Sequence, residues 1–340
     1  MKKIILLTIA LVWAVFGIAQ TCTFTYSPNP VCEEGVTLSV TNPQAGVNYG
    51  WDVNNDGIID FSGTNLLYNY GTTGTYPVNL YADGVLCATS NVSVFPLPDP
   101  TIGIAPGTGV LSGTEIRTCT STPTTTLELT NMSTTILNNA TYIINWGDGS
   151  SDTYTNVTFN NAGANAIHTY TSYGFYTITV EVTSNDGCVA TSTYTYYNGN
   201  NPSIGLATPG NTVSLCSPAP VTFPITDYIN NPTGTQYTIY VNGEQVATYD
   251  QSTIPSSFTY LFEESSCGEV TSTGNYINAF DVQISASNPC GSSSATVEPI
   301  EISLPPVPEM VVDPPSNICT GNEWMFIDTT EASEIISGNP

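Results

Sequence analysis

The 340-residue chain carries three Lys or Arg against 28 Asp or Glu, a formal net charge of −25. Such a surface repels nucleic acid and anionic membranes, whose binding depends on basic side chains neutralising phosphates. Hydrophobic residues make up 40% and aromatics 10%, which suits packed cores and not a disordered acidic chain.

Lys2 and Lys3 precede an apolar run from Ile4 to Ile18, and Gly17-Ile18-Ala19 offers a small-x-small cleavage pattern. Residues 1–20 therefore read as a secretory signal peptide. The run falls short of the roughly 20 apolar residues that a spanning helix needs. Ala19-Gln20-Thr21, just before Cys22, lacks the aliphatic-small-small order of a lipid-attachment site. The mature chain, whose single basic residue is Arg117, is expected to be secreted or held at the cell surface, with no membrane insertion in this segment.

A three-part phrase then recurs about every hundred residues, the period of one small β-domain. It opens on an aromatic-x-Tyr step (Tyr68-Asn69-Tyr70, His168-Thr169-Tyr170, Phe258-Thr259-Tyr260). An alternating strand follows (from Gly74, Gly174 and Ala279), and a cysteine closes it (Cys87, Cys188, Cys290). Apolar residues alternate with Thr and Ser, as in Val36, Leu38 and Val40 or Tyr176, Ile178 and Val180. Period-two patterning with Asx-Gly turns predicts antiparallel strands with one face on a core. The expected fold is all-β: tandem immunoglobulin-like antiparallel sandwiches joined by Pro-rich linkers. The joints Phe95–Pro100, Asn200-Asn201-Pro202 and Leu304–Pro308 delimit domains at 21–98, 99–200 and 201–303, with 304–340 the opening of a fourth module. Such joints favour an extended arrangement.

Nine cysteines in an exported chain predict disulfides. Cys32, Cys119, Cys216 and Cys319 open repeats. The simple pairing stays inside each repeat: Cys32 with Cys87, Cys119 with Cys188, Cys216 with Cys290. Bridges between neighbouring modules are the rival, because the second and last strands of a sandwich start at opposite ends. Cys22 and Cys267 are left without a role, and Cys319 awaits a partner past Pro340. Zinc is not expected, with one histidine and no CxxC.

At the third strand, Val47, Tyr49 and Trp51 share one face and lead into Asp52-Val53-Asn54-Asn55-Asp56-Gly57. In the next repeat Tyr142, Ile144 and Trp146 lead into Gly147-Asp148-Gly149-Ser150. With His168-x-Tyr170 and Gly174-x-Tyr176-x-Ile178, this resembles the PKD (polycystic-kidney-disease repeat) domain. Its signature is a Trp-Asp-x-Gly-Asp-Gly hairpin followed by His-x-Tyr and Gly-x-Tyr-x-Val. The first repeat has Tyr68 in place of His. The third diverges, with Val241-Asn242-Gly243-Glu244 where the Trp hairpin stands and an apparent insertion at 263–278. The resemblance implies a non-catalytic extracellular spacer or interaction module. The cysteine-framed, Pro-jointed form is similar to long surface proteins of the Bacteroidetes exported by type IX secretion.

Asp52, Asn54, Asp56 and Asp60 match the first half of an EF-hand-like calcium loop, but Gly63 occupies the twelfth position, where a bidentate acid belongs. Structural calcium is one reading and a tight Asx turn the other, and the PKD resemblance favours the turn. Trp51 and Trp146 share parity with Tyr49 and Ile144, so they belong to cores and not to sugar-stacking surfaces. Tyr70, Tyr170 and Tyr260 are placed to bridge strand to loop by a corner-like hydrogen bond. No Ser/His/Asp or Cys/His arrangement is present, and no cofactor is called for. The expected function is a stalk, adhesion or interaction region contacting extracellular protein or polysaccharide. The alternative is the accessory substrate-binding region of a secreted hydrolase.

Overall fold

The structure is a computed structural model and describes residues 22–33, 35–313 and 325–330. The expected signal peptide at 1–20, Cys319 and Trp324 lie outside the described residues. The fold is all-β: three immunoglobulin-like sandwiches in tandem, joined by Pro-rich segments. Among the described residues the one helical turn is the 3-10 turn Ile136–Asn138.

The first sandwich is built from β1 (Phe24–Ser27), β2 (Val31–Cys32), β3 (Val36–Val40), β4 (Tyr49–Asp52), β5 (Phe61–Ser62), β6 (Asn65–Tyr68), β7 (Gly74–Ala82) and β8 (Val85–Phe95). Their order is β1-β3-β6 in one sheet and β2-β8-β7-β4-β5 in the other. The period-two pattern does what the pleat dictates. Val36, Leu38 and Val40 point inward from β3 to meet Trp51, Val78 and Leu80. Full burial of a side chain such as Leu38 or Leu80 contributes about 1.5–3 kcal/mol.

The second sandwich repeats the plan. It comprises β9 (Ile102–Ile104), β10 (Val110–Ser112), β11 (Glu115–Cys119), β12 (Thr125–Asn131), β13 (Asn139–Asn145), β14 (Ser151–Thr155), β15 (Ala166–Tyr170), β16 (Gly174–Ser184) and β17 (Val189–Gly199). The sheets are β15-β12-β9 and β10-β11-β17-β16-β13-β14. Trp146, just after β13, is fully buried, as is Trp51 on β4, so parity placed both correctly.

The third sandwich comprises β18 (Gly205–Leu206), β19 (Leu215–Cys216), β20 (Ala219–Thr226), β21 (Gln236–Val241), β22 (Glu244–Asp250), β23 (Ser257–Phe262), β24 (Phe280–Asn288), β25 (Gly291–Ile300) and β26 (Ile302–Ser303). Its sheets are β18-β20-β23, β22-β21-β24-β25 and β19-β26. Val241, paired with Val282 on β24, takes the place that Trp51, paired with Leu80 on β7, holds in the first sandwich. The segment 263–278 forms a loop closed by a bridge between Val270 and Ile277. Buried Asp281 anchors it by accepting from the Ser272 backbone N–H and hydroxyl, both at 2.6 Å. Last come β27 (Met310–Asp313) and β28 (Met325–Asp328), an antiparallel pair.

By internal contact the chain falls into two compact units. One holds Met1–Pro100, Ser133–Tyr142 and Glu181–Thr191, and the other Thr101–Met132, Ile143–Val180 and Ser192–Pro340. Within the first, the joint after β8 is pinned: the Asp99 carboxylate accepts from the Thr134 N–H at 2.8 Å and from its hydroxyl at 2.9 Å.

Candidate functional site

The functional geometry begins with a short parallel pairing repeated in each sandwich. Cys32 lies opposite Phe95 at the end of the last strand. Cys119 lies opposite Gly199, and Cys216 opposite Ser303. In each case the residue after the cysteine donates its N–H to the carbonyl of that opposite residue: Glu33 to Phe95 at 3.1 Å, Thr120 to Gly199 at 2.9 Å, Ser217 to Ser303 at 2.9 Å. Parallel pairing carries the opening cysteine to the end of the sandwich where the last strand exits. The closing cysteines Cys87, Cys188 and Cys290 sit in or just after the hairpin turn that starts that strand, at the other end.

A bridge from an opening cysteine to the closing cysteine of its own repeat would therefore have to span the full length of a sandwich, and no such bridge forms. Cys32 bonds Cys188, and Cys119 bonds Cys290, each with Cα atoms 5.6 Å apart. The expected pairs Cys32–Cys87, Cys119–Cys188 and Cys216–Cys290 are corrected: Cys32 and Cys119 each take the hairpin cysteine of the sandwich that follows, as the rival pairing anticipated. Cys87 bonds Cys22 from its own N-terminal segment, which gives Cys22 its role. Cys216 and Cys267 carry exposed free thiols. Cys32–Cys188 lies wholly within the first compact unit and Cys119–Cys290 wholly within the second.

The Trp hairpins are structural. In the second sandwich Gly147 adopts φ +82°, and a Cβ there would lie 2.6 Å from both the backbone N and O of Thr177. Only glycine fits this left-handed, close-packed position. Beyond it, Asp148 accepts from the Ser150 N–H at 3.0 Å and contacts His168 Nε2 at 2.8 Å. The His168 ring stacks on Trp146, with centroids 4.7 Å apart and planes 11° apart. Burial pushes the Asp148 carboxyl up, but the Ser150 and His168 hydrogen bonds and the His168 ring outweigh it and hold the group down at about 2. His168 is thus a packing and turn-fastening residue. Trp146 donates its indole N–H to Asp152 at 2.8 Å, and Tyr170 donates its hydroxyl to the Trp146 carbonyl at 2.8 Å.

Of the expected corner tyrosines, Tyr170 makes its bond and Tyr70 does not. The Tyr70 hydroxyl is buried without a partner, and the Trp51 carbonyl accepts the Asp60 N–H at 2.8 Å. Burial, with Tyr68 and Tyr76 beside it, pushes the Tyr70 phenol up. Tyr260 instead packs its ring edge-on against Phe262 at 4.8 Å.

The loop holding Asp52, Asn54, Asp56 and Asp60 is crowded with donors. Asp52, fully buried, accepts from the Asp56 N–H at 3.3 Å, the Gly57 N–H at 3.0 Å and the Asn79 amide at 3.1 Å. Asn54 accepts from the Asp56 N–H, Asp56 from the Ile58 N–H, and Asp60 from the Val53 N–H. Burial raises the Asp52 carboxyl, and the Asn79 and backbone N–H donors more than reverse that, leaving it lowered. These N–H and amide donors fasten the segment as an Asx turn, the second of the two readings of this loop. Among the described residues no group of three His, Cys, Asp or Glu side chains is placed to hold a metal.

A small cavity of about 110 Å³ in the second unit is lined by Ile116, Arg117, Phe175, Tyr197 and Pro289. A wider concavity of about 450 Å³ on the third sandwich is rimmed by Glu244, Glu263, Glu264 and Glu269. Among the described residues no helix is long and apolar enough to cross a membrane.

No family model and no curated protein matches this sequence. Among solved structures the chain is similar to the fibronectin(III)-like modules of Clostridium thermocellum CbhA, at 15% identity and TM-score 0.25, covering 59% of this chain and 95% of that one. It is also similar to the N-terminal four Ig domains of Dscam1, at 11% identity and TM-score 0.32, covering 83% and 72%. A third likeness is to a Ca2+-stabilized adhesin that helps an Antarctic bacterium bind ice, at 12% identity and TM-score 0.28, covering 86% and 76%. The sandwich assignment rests on the sheets and registers themselves.

Proposed function

We propose that this chain is a non-catalytic stalk or adhesion region of a secreted or surface-held protein, whose sandwiches are PKD-type modules with limits near 21–98, 99–200 and 201–303. The observation that carries the reading is covalent: the loops closed by Cys32–Cys188 and Cys119–Cys290 span 156 and 171 residues and overlap between Cys119 and Cys188. Three disulfides belong to an oxidising, extracytoplasmic compartment, in keeping with the expected signal peptide. The Trp hairpins and the His168-x-Tyr170 step support the PKD assignment. Partners would be extracellular proteins or polysaccharides met by the Thr- and Asn-rich faces. The acidic surface disfavours nucleic acid.

The mechanism is the routing of tension. From Cys22 a covalent path crosses to Cys87, runs to Cys119, crosses to Cys290 and exits at Ser303. Only roughly 45 residues of backbone on that route can extend, about 160 Å, against roughly 280 residues and about 1,000 Å in the reduced chain. Single-molecule stretching of protein tethered before Cys22 and after Ser303 tests this. The oxidised protein should stop near the shorter length even after its sandwiches unfold, and reductant should release the longer one. Full extension without reductant would remove the reading.

A further inference from the structure

The staples leave one seat unfilled. Cys32 and Cys119 occupy the same backbone position in successive sandwiches, opposite the last residue of the final strand, and both are bonded. Cys216 occupies that position in the third sandwich, opposite Ser303, with the same following N–H bond, and its thiol is free and exposed. Its repeat equivalents each hold a hairpin cysteine, so the seat itself, and not the thiol alone, points to the missing ligand.

Among the described residues no hairpin cysteine, of this chain or of a second copy, can fill it. Cys87, Cys188 and Cys290 are already bonded, to Cys22, Cys32 and Cys119. The chain beyond the third sandwich shows what could. Four residues of β27 pair antiparallel with four of β28, from Met310–Asp328 to Asp313–Met325. This repeats the pairing of β1 with β3, from Phe24–Val40 to Ser27–Thr37. In the first sandwich that ladder is covered by a second sheet. In β27–β28, Met310, Met325 and Phe326 are each about 60% exposed, at 61%, 58% and 61%. A two-stranded ladder showing such side chains is not stable alone and needs further strands to cover it.

We infer that Cys216 is the acceptor for the next staple, bonding the hairpin cysteine of a further sandwich that β27 and β28 open. The completed staples span 156 and 171 residues, which sets the expected distance from Cys216 to its partner. Two thiols lose two protons and two electrons to form the bond. A thiol–disulfide oxidoreductase in its disulfide form takes them up and becomes a dithiol. The inference rests on the stapled-array reading and extends it past the third sandwich.

The test is the protein of the full reading frame, alkylated without reduction, digested, and its linked peptides sequenced. Cys216 should be recovered bonded to a cysteine of a following Asx- or Gly-containing hairpin. In a Cys216→Ser variant that cysteine should become alkylated, a gain of one thiol per chain, with Cys32–Cys188 and Cys119–Cys290 unchanged. Cys216 found alkylated in the unreduced protein, or bonded to Cys267, to Cys319 or to a second chain, would overturn the inference. Those results leave the stapled-array reading standing as long as the two upstream pairs are recovered, and loss of those pairs is the separate failure of that reading. If the variant does not accumulate, the wild-type map decides alone.

Discussion

Cys32 and Cys188 are separated by 156 residues in sequence, yet their Cα atoms lie 5.6 Å apart. The cause is topological. A parallel pairing sends the first cysteine to the exit end of its own sandwich, and an antiparallel hairpin presents the second at the entry end of the next. The same two pairings place Cys119 against Cys290. A repeat that obeys them staples itself to its successor without a dedicated linker.

Two tyrosines of one repeat motif should respond oppositely to loss of a hydroxyl. Tyr170→Phe removes a buried donor to the Trp146 carbonyl and should cost about 1–2 kcal/mol. Tyr70→Phe removes a buried hydroxyl with no partner and should be neutral or stabilising. Urea denaturation of both variants checks this, and an equal loss in each would contradict the hydrogen-bond assignment.

Gly147→Ala should destabilise the protein by more than about 2 kcal/mol, since the position combines φ +82° with backbone contacts at 2.6 Å. Gly149→Ala is the matched control: its φ is +95°, but a Cβ there meets nothing within 4 Å. Thermal or urea melts should show Gly147→Ala as the costlier of the two, and the reverse order would remove Thr177 as the cause.

Acid should loosen the second sandwich through Asp148. Its carboxyl lies at about 2 in the folded protein against an ordinary 3.8, so the folded state favours the ionised form. That stabilisation is complete above the ordinary value and is lost as pH falls from near 4 towards 2. Wild type should lose more melting temperature across that window than Asp148→Asn. Parallel profiles for the two proteins would show the His168 and Ser150 contacts to be inert.

Calcium should not matter to the first sandwich. Adding it, or adding EDTA, should leave the melting temperature unchanged, while Asp52→Ala should cost about 1–3 kcal/mol by stranding the Gly57 N–H. A calcium-dependent rise in melting temperature would show that a cation displaces those donors.

Sequence period carried most of the fold. Alternation placed Leu38 in a core, because a pleated strand with one buried face leaves no other register. Parity with Tyr49 and Ile144 placed Trp51 and Trp146 there as well, although β4 is buried on both faces. What period could not supply was polarity along the strand axis. The cysteines recur regularly whichever end of the sandwich they occupy, so spacing did not choose between the two pairings. The choice depends on β2 and β11 running parallel to the last strand of their own sandwich, a tertiary fact with no local signal. The Tyr70 hydroxyl was equally illegible. Its motif matches that of Tyr170, but the hairpin after Trp51 is longer than the one after Trp146, and the hydroxyl is left without a partner. Asn79, which fastens the Asp52 loop, and Asp99, which pins the first joint, were hidden among many ordinary Asx residues.

Disulfide mapping of the unreduced, secreted protein tests the central claim most directly. The account predicts peptides joining Cys32 to Cys188 and Cys119 to Cys290, with Cys22 joined to Cys87. Recovery of Cys32 with Cys87 and Cys119 with Cys188 would return the molecule to independently closed modules and contradict it.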